Sequence, residues 1–232
     1  ENVVFTTKPQ IPHAEKWANI IKLDKEREYV GMYLSAHPLD PYFMELEYGC
    51  NTKLKDLRDL NTTLDKDMVF GGLVVGFEVK PTKTGGQFGI MKIEDKTGSH
   101  EFRLFKDKLV AFRNYGVVGT PIIAHGMYQK RQYNDTVDFN LTSMELLEQV
   151  KGTMVHSITI NLKDRDLKES FMTPLKNMLT SSTQNRGDLF FNILDSDIKK
   201  YVLLHSRYKI PITKDLIAYL NDKNIEFEIN KN

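Results

Sequence analysis

Lys80, Lys83, Lys92, Arg103, Lys130 and Arg131 crowd one stretch of the chain, and the rings of Phe88 and Tyr133 fall among them. Cations gathered this way neutralise phosphates and release condensed counterions. A ring in their midst gives a base a surface to stack on, for about 1 to 3 kcal/mol per base. Charge counts point to the same chemistry. Residues 1–79 hold 9 Lys/Arg against 13 Asp/Glu, residues 80–133 hold 10 against 4, and residues 134–232 hold 13 against 14, so a net charge of +1 conceals +6 in the middle. Charge concentrated in one element is the footprint of a polyanion site, whereas a merely solubilising surface is more often mixed in sign.

Other chemistries have no support. His13, His37, His100, His125, His156 and His205 are scattered without the spacing of metal ligands. The carboxylate pairs Glu94-Asp95 and Asp195-Asp197 occur singly, and two-metal phosphoryl transfer needs several converging acids. Asp95, shortly ahead of Gly98, reads as a turn residue. There is no phosphate loop. The expectation is a binding protein with no catalytic residue, no metal site and no cofactor of its own.

The elements around the basic stretch have the pattern of a barrel. Val69 to Val79 is a β-rich run whose Gly71, Gly72 and Gly76 allow a strand to bend hard. Strand two spans Gln87 to Glu94, a turn follows at Asp95-Lys96-Thr97-Gly98, and strand three spans His100 to Phe105. A short helix at Lys108 to Tyr115 precedes strands at Pro121 to Lys130 and Thr136 to Leu141. Three strands, a helix and two strands is the order of an OB fold, whose outer sheet and loops hold oligonucleotides. Alternation places Gly89, Met91 and Ile93 on one face of strand two and Phe88, Ile90, Lys92 and Glu94 on the other; in strand three it separates His100, Phe102 and Leu104 from Glu101, Arg103 and Phe105. With the first sets inward, Phe88, Lys92 and Arg103 converge outside.

Ahead of this lies a helical segment, 1–66, with starts expected at Pro12, Asp24 and Asp40-Pro41 and a left-handed glycine end at Gly49. After it, 148–232 has the order strand, helix, strand, strand, helix, strand, expected to form a small sandwich of split βαβ type. Its first helix puts Leu167, Phe171, Leu175 and Leu179 on one face, Thr213 is the N-cap of the second, and Phe190, Phe191 and Phe227 are expected in the core. The fold class is thus α+β and multidomain: helical segment 1–66, OB barrel 67–147, C-terminal domain 148–232. No uncovered apolar stripe is evident, so a monomer is expected.

A chain of 232 residues with 41% hydrophobic and 27% charged residues suits about two globular domains. No stretch is apolar enough to cross a bilayer, so no membrane partner is expected. Cys50 has no cysteine companion, which favours a reducing, cytoplasmic setting and an idle, buried thiol. The chain begins Glu1-Asn2-Val3-Val4, without methionine, as a piece of a longer protein would.

The run from Glu28 to Tyr42, with Gly31, Tyr33-Leu34-Ser35, His37-Pro38-Leu39-Asp40 and Tyr42, closely resembles a signature of the alpha subunit of bacterial replicative DNA polymerase III, a C-family polymerase. Ala36 stands where glycine is usual. Gly85 to Met91 and Glu101 to Phe105 resemble strands of the OB domain that follows the signature in that family. The resemblance covers about Trp17 to Leu147 and is faint beyond. It implies a C-terminal part of a DNA-directed DNA polymerase, a nucleotidyltransferase whose palm carboxylates, phosphoesterase-type domain and fingers lie upstream. It further implies single-stranded template near the OB domain, the tau subunit of the clamp loader on the C-terminal domain, a sliding clamp bound upstream, and a nucleoid-associated location. Alternatives are an OB barrel that only docks protein, and an anticodon-type RNA-binding OB domain, which the signature argues against.

Overall fold

In a computed structural model the described residues are 17, 19–31, 33–130, 136–180 and 186–231. The chain divides into two compact units, 1–38 and 39–232.

In the first unit, helix α1 (Asn19–Val30) ends where Gly31 takes a left-handed φ of 83° and donates its N–H to the Arg27 carbonyl at 3.0 Å. Glu26 then gathers the following residues: its carboxylate accepts from the backbone N–H of Leu34 (2.7 Å) and Ser35 (2.8 Å) and from the Ser35 hydroxyl. Those bonds, the Ser35 hydroxyl foremost, hold the Glu26 carboxyl below the usual range. Arg27 donates to the Tyr33 hydroxyl at 3.0 Å, and His37 packs edge-on against Tyr33 at 5.1 Å. The Glu28–Tyr42 signature therefore begins with a helix end and a clasped turn. The expected N-cap at Asp24 is corrected, because α1 runs through that position; one Asp inside a helix costs well under about 1 kcal/mol in propensity and does not stop it. Pro12 and His13 lie outside the described residues.

In the second unit, helical turns at Asp40–Tyr42, Glu45–Gly49 and Asp56–Arg58 and helix α2 (Leu60–Thr63) lead into the first sheet. Gly49 does end a helical segment, but by a wide turn in which the Cys50 N–H bonds the Glu45 carbonyl at 2.9 Å rather than by a left-handed residue. The sheet comprises β1 (Met68–Pro81), β2 (Gln87–Glu94), β3 (Ser99–Phe105), β4 (Pro121–Lys130) and β5 (Val137–Leu146), ordered β3-β2-β1-β4-β5, with helix α3 (Lys106–Phe112) between β3 and β4. The long β1 serves both halves, pairing with β4 through its start and with β2 through its end. The ladder shifts between Val74 and Gly76, a bulge that bends the strand. Gly72 instead permits a close approach of strands, since a Cβ there would lie 2.6 Å from Ile93 Cγ2 and 2.8 Å from the Glu94 carbonyl.

Phe70, Met91, Ile93, Phe102, Leu104 and Ile122 fill the core of this sheet, joined by Leu54 and Leu57 from ahead of β1. Asp95 ties that entering segment to the β2–β3 turn. One carboxylate oxygen accepts from Thr97 N–H (2.6 Å) and Gly98 N–H (2.9 Å), the other from Leu54 N–H (2.9 Å). This is the turn role read from the sequence, extended to a second element. A closed barrel, however, is not formed by pairing. Among the described residues no ladder joins β3 to β5, and the rings of His100, Phe102, Tyr128 and Phe139 line the gap between those edges, with centroids 4.7 to 6.5 Å apart.

Helix α4 (Leu147–Val150) leads to the second sheet: β6 (Val155–Lys163), β7 (Arg186–Asp195), β8 (Lys200–His205), the short β9 (Ile210–Pro211) and β10 (Phe227–Lys231), with helices α5 (Glu169–Thr180) and α6 (Lys214–Asp222). The element order is the expected one with the short β9 added. Its pairing corrects the split arrangement, because β6 and β7 are direct parallel neighbours in the order β10-β6-β7-β8. A right-handed crossover through a helix satisfies either arrangement, so local pattern cannot choose between them. Phe171 and Leu175 of α5 and Leu216, Ile217 and Leu220 of α6 bury against Ile158, Ile160 and Leu189, with Phe191 and Phe227 packed alongside. Thr213 caps α6, accepting from Leu216 N–H at 3.3 Å. Leu167 precedes α5 and is exposed, which corrects its place in the apolar stripe.

The helical lead of this unit is tied to the connection between the sheets and to β10 by part-buried polar links. Glu45, only 4% exposed, accepts from Gly152 N–H at 2.6 Å; the Tyr42 hydroxyl donates to Glu148 at 2.8 Å; Lys231 reaches the Cys50 carbonyl at 3.3 Å. Cys50 is buried and free, as its solitary place in the sequence suggested.

Edge strand β8 holds the main surprise. Tyr201, Val202, Leu203 and Leu204 are 67%, 45%, 64% and 47% exposed. An uncovered apolar edge does exist, against the sequence reading. Two helices cannot cover both faces of a four-stranded sheet, and β8 is the strand left out.

Candidate nucleic-acid interface

Burial settles which faces turn outward. Gly89, Met91 and Ile93 of β2 and Phe102 and Leu104 of β3 are buried, leaving Phe88, Ile90, Lys92, Arg103 and Phe105 outside. The ladders align them in three rows across β1, β2 and β3: Gly76–Lys92–Glu101, Glu78–Ile90–Arg103, and Lys80–Phe88–Phe105. Phe88 and Phe105 stack at 5.3 Å between centroids with 15° between planes, and Phe105 is 49% exposed. The aromatic platform is thus a pair of rings. Alternation alone puts Phe105 on this outer face, yet only the register shows it beside Phe88.

The cations do not act alone. Lys80 pairs with Glu78 at 2.8 Å, and the hydrogen bond from its ammonium holds the Glu78 carboxyl below the usual range. Glu101 stands opposite Lys92. These carboxylates share the face and temper its positive charge. Arg103 stands opposite Ile90, and Lys83 lies in the exposed β1–β2 loop. Lys130 leaves the sheet near the start of β1, whereas Lys80 lies at its finish, so the two share no row. Arg131 and Tyr133 lie outside the described residues. Among the described residues no group of three or more His, Cys, Asp or Glu side chains could hold a metal ion.

A family described as DNA polymerase III alpha subunit, C-terminal domain, matches residues 158–230. The DNA polymerase III subunit alpha of Haemophilus influenzae is 28% identical over 223 residues, 94% of this chain and 19% of that protein. That of Escherichia coli K12 is 27% identical over 221 residues, with 93% and 19% covered. Along most of its length the chain is similar to the C-terminal region of DNA polymerase III alpha subunits. It spans about a fifth of the length of these alpha subunits, and the match runs through both sheets. No helix among the described residues is long and apolar enough to cross a membrane. A mitochondrial single-stranded DNA binding protein from S. cerevisiae overlaps 35% of this chain and 93% of its own at 14% identity, but with a TM-score of 0.26 that likeness carries no argument.

Proposed function

We propose that this alpha-subunit region binds single-stranded template DNA on an OB-type sheet and docks a partner protein through its C-terminal sheet, during chromosomal replication. The observation that supports the first half is the Lys80–Phe88–Phe105 row beside Arg103: two stacked rings with cations at either hand, on the outer face of β2 and β3. OB folds use that face for oligonucleotides. Chemistry belongs upstream in the alpha subunit, and this region contributes grip and no catalysis, metal or cofactor. Fluorescence anisotropy of a labelled single strand of about 20 nucleotides tests the reading, with Phe88→Ala/Arg103→Ala as the comparison. Stacking at about 1 to 3 kcal/mol per base implies a loss of roughly 5- to 150-fold from the ring alone, and removing one phosphate contact lowers the salt slope by about one. Unchanged affinity in the double variant would sink it.

The second half is favoured by β8. Exposed apolar residues on an unpaired edge mark a protein contact more often than a bare surface, and the family resemblance names the clamp-loader tau subunit as the partner. Replacing Leu203 by Asp is expected to weaken capture of tau about tenfold or more, with the folded state kept, because the side chain is already exposed. Equal capture by wild type and variant would move the docking surface elsewhere.

A further inference from the structure

The groove between β3 and β5 has features that the outer face does not explain. It has a volume of about 360 Å³, within the roughly 300 to 1,000 Å³ typical of small-ligand sites. Its aromatic lining is formed by His100, Phe102, Tyr128 and Phe139. Nδ1 of His100 is buried and has no hydrogen-bond partner, while Nε2 lies 3.4 Å from the Tyr128 hydroxyl. Buried polar atoms are almost always satisfied in a folded protein, so an orphan of this kind needs an explanation. Burial first, and the charge of Arg58 second, hold this imidazole below its ordinary pKa. A neutral ring has one donor and one acceptor nitrogen, and the buried Nδ1 is the one left without a complement.

The rim restricts what enters. Glu101 and Asp138 line the groove and disfavour a phosphate inside it, while Arg103 and Phe105 border the groove and also stand in the outer rows. A strand lying on the outer face thus keeps its phosphates near Arg103 and can turn an uncharged group inward over Phe105. Among uncharged groups, a flat heteroaromatic ring with hydrogen-bonding edges matches both the ring lining and the single unsatisfied nitrogen.

We propose that the β3–β5 groove receives one unstacked nucleobase of the single strand, held among His100, Tyr128 and Phe139, with the His100 ring turning on binding so that its buried, unpartnered Nδ1 meets the edge of the base. This rests on the single-strand reading above and adds to it a base-selective pocket. The base supplies the partner that Nδ1 lacks, and the groove explains why the β3 and β5 edges stay apart.

The test uses the chain with nitrogen-15-labelled histidine and two strands of equal length, one of ordinary deoxynucleotides and one abasic throughout. Anisotropy reports whether each strand binds; nuclear magnetic resonance reports the His100 ring nitrogens, assigned by loss in His100→Phe. The expected result is a shift of the His100 signals with the ordinary strand and none with the abasic strand, and about a fivefold loss of affinity in His100→Phe, the worth of one buried hydrogen bond. An ordinary strand that binds while the His100 signals stay still would overturn the pocket and leave the single-strand reading intact; the groove would then fit an extended peptide pairing with the open edges. Absence of any anisotropy change at low salt would overturn both.

Discussion

Replacing Phe70 by Ala is expected to destabilise the second unit by about 3 to 5 kcal/mol, the range for removing a buried aromatic ring. Phe70 is fully buried, stacked on Phe102 at 5.3 Å with 9° between planes and set edge-on to Phe139 at 5.9 Å. It stands on β1, the one strand that pairs with both halves of the first sheet, with Ala124 of β4 as its neighbour. Ala124 is too small to close the cavity that would remain. Domains of this size have about 5 to 15 kcal/mol of stability in all, so the variant should unfold at a much lower urea concentration, or be unfolded at the outset. Val110→Ala, at a site 71% exposed, is the matched control and should change the midpoint little. A Phe70→Ala midpoint within error of wild type would contradict the packing described.

The second large effect concerns Cys50. Burial pushes its thiol from an ordinary 9.0 up to about 12. Between those two pH values the unfolded chain has released a proton that the folded chain still holds, so unfolding is favoured as pH rises. The linked loss, at about 1.4 kcal/mol for each unit, reaches an order of 4 kcal/mol across the window. Tyr42 acts in the same direction: burial, and then its hydrogen bond to Glu148, raise its hydroxyl to about 12. Below pH 9 neither contributes. Urea unfolding at pH 7, 9, 10 and 11 should therefore show stability falling only in the alkaline steps, with a shallower fall in Cys50→Ala. At neutral pH the same shift makes the native thiol nearly inert, because the thiolate is the nucleophile. Alkylation by iodoacetamide should be at least about 100-fold slower in the folded than in the urea-unfolded chain. Comparable rates would show that Cys50 is accessible.

Particular residues show how far sequence carries. The faces of β2 and β3 were legible because a period of two is set by the pleat itself and holds whatever the strand pairs with. Asp95 and Thr213 were legible for a similar reason: a short side chain bonding to nearby N–H groups is a local act. The interruption expected at Asp24 was an error of local propensity, since a single poor helix former inside a continuing helix costs less than ending it.

The sequence by itself determined the element order, the alternation that turns Phe88, Lys92 and Arg103 outward, and the signature that marks the alpha subunit. These depend on residues near one another along the chain. Tertiary structure alone decided that Phe105 stacks on Phe88, that Glu101 stands opposite Lys92, that β6 pairs directly with β7, that β8 stays uncovered, and that His100 lines a groove. Each of these depends on which distant strands come to lie side by side. Strand register and helix coverage are set by the packing of the whole unit, and several arrangements satisfy the same local pattern.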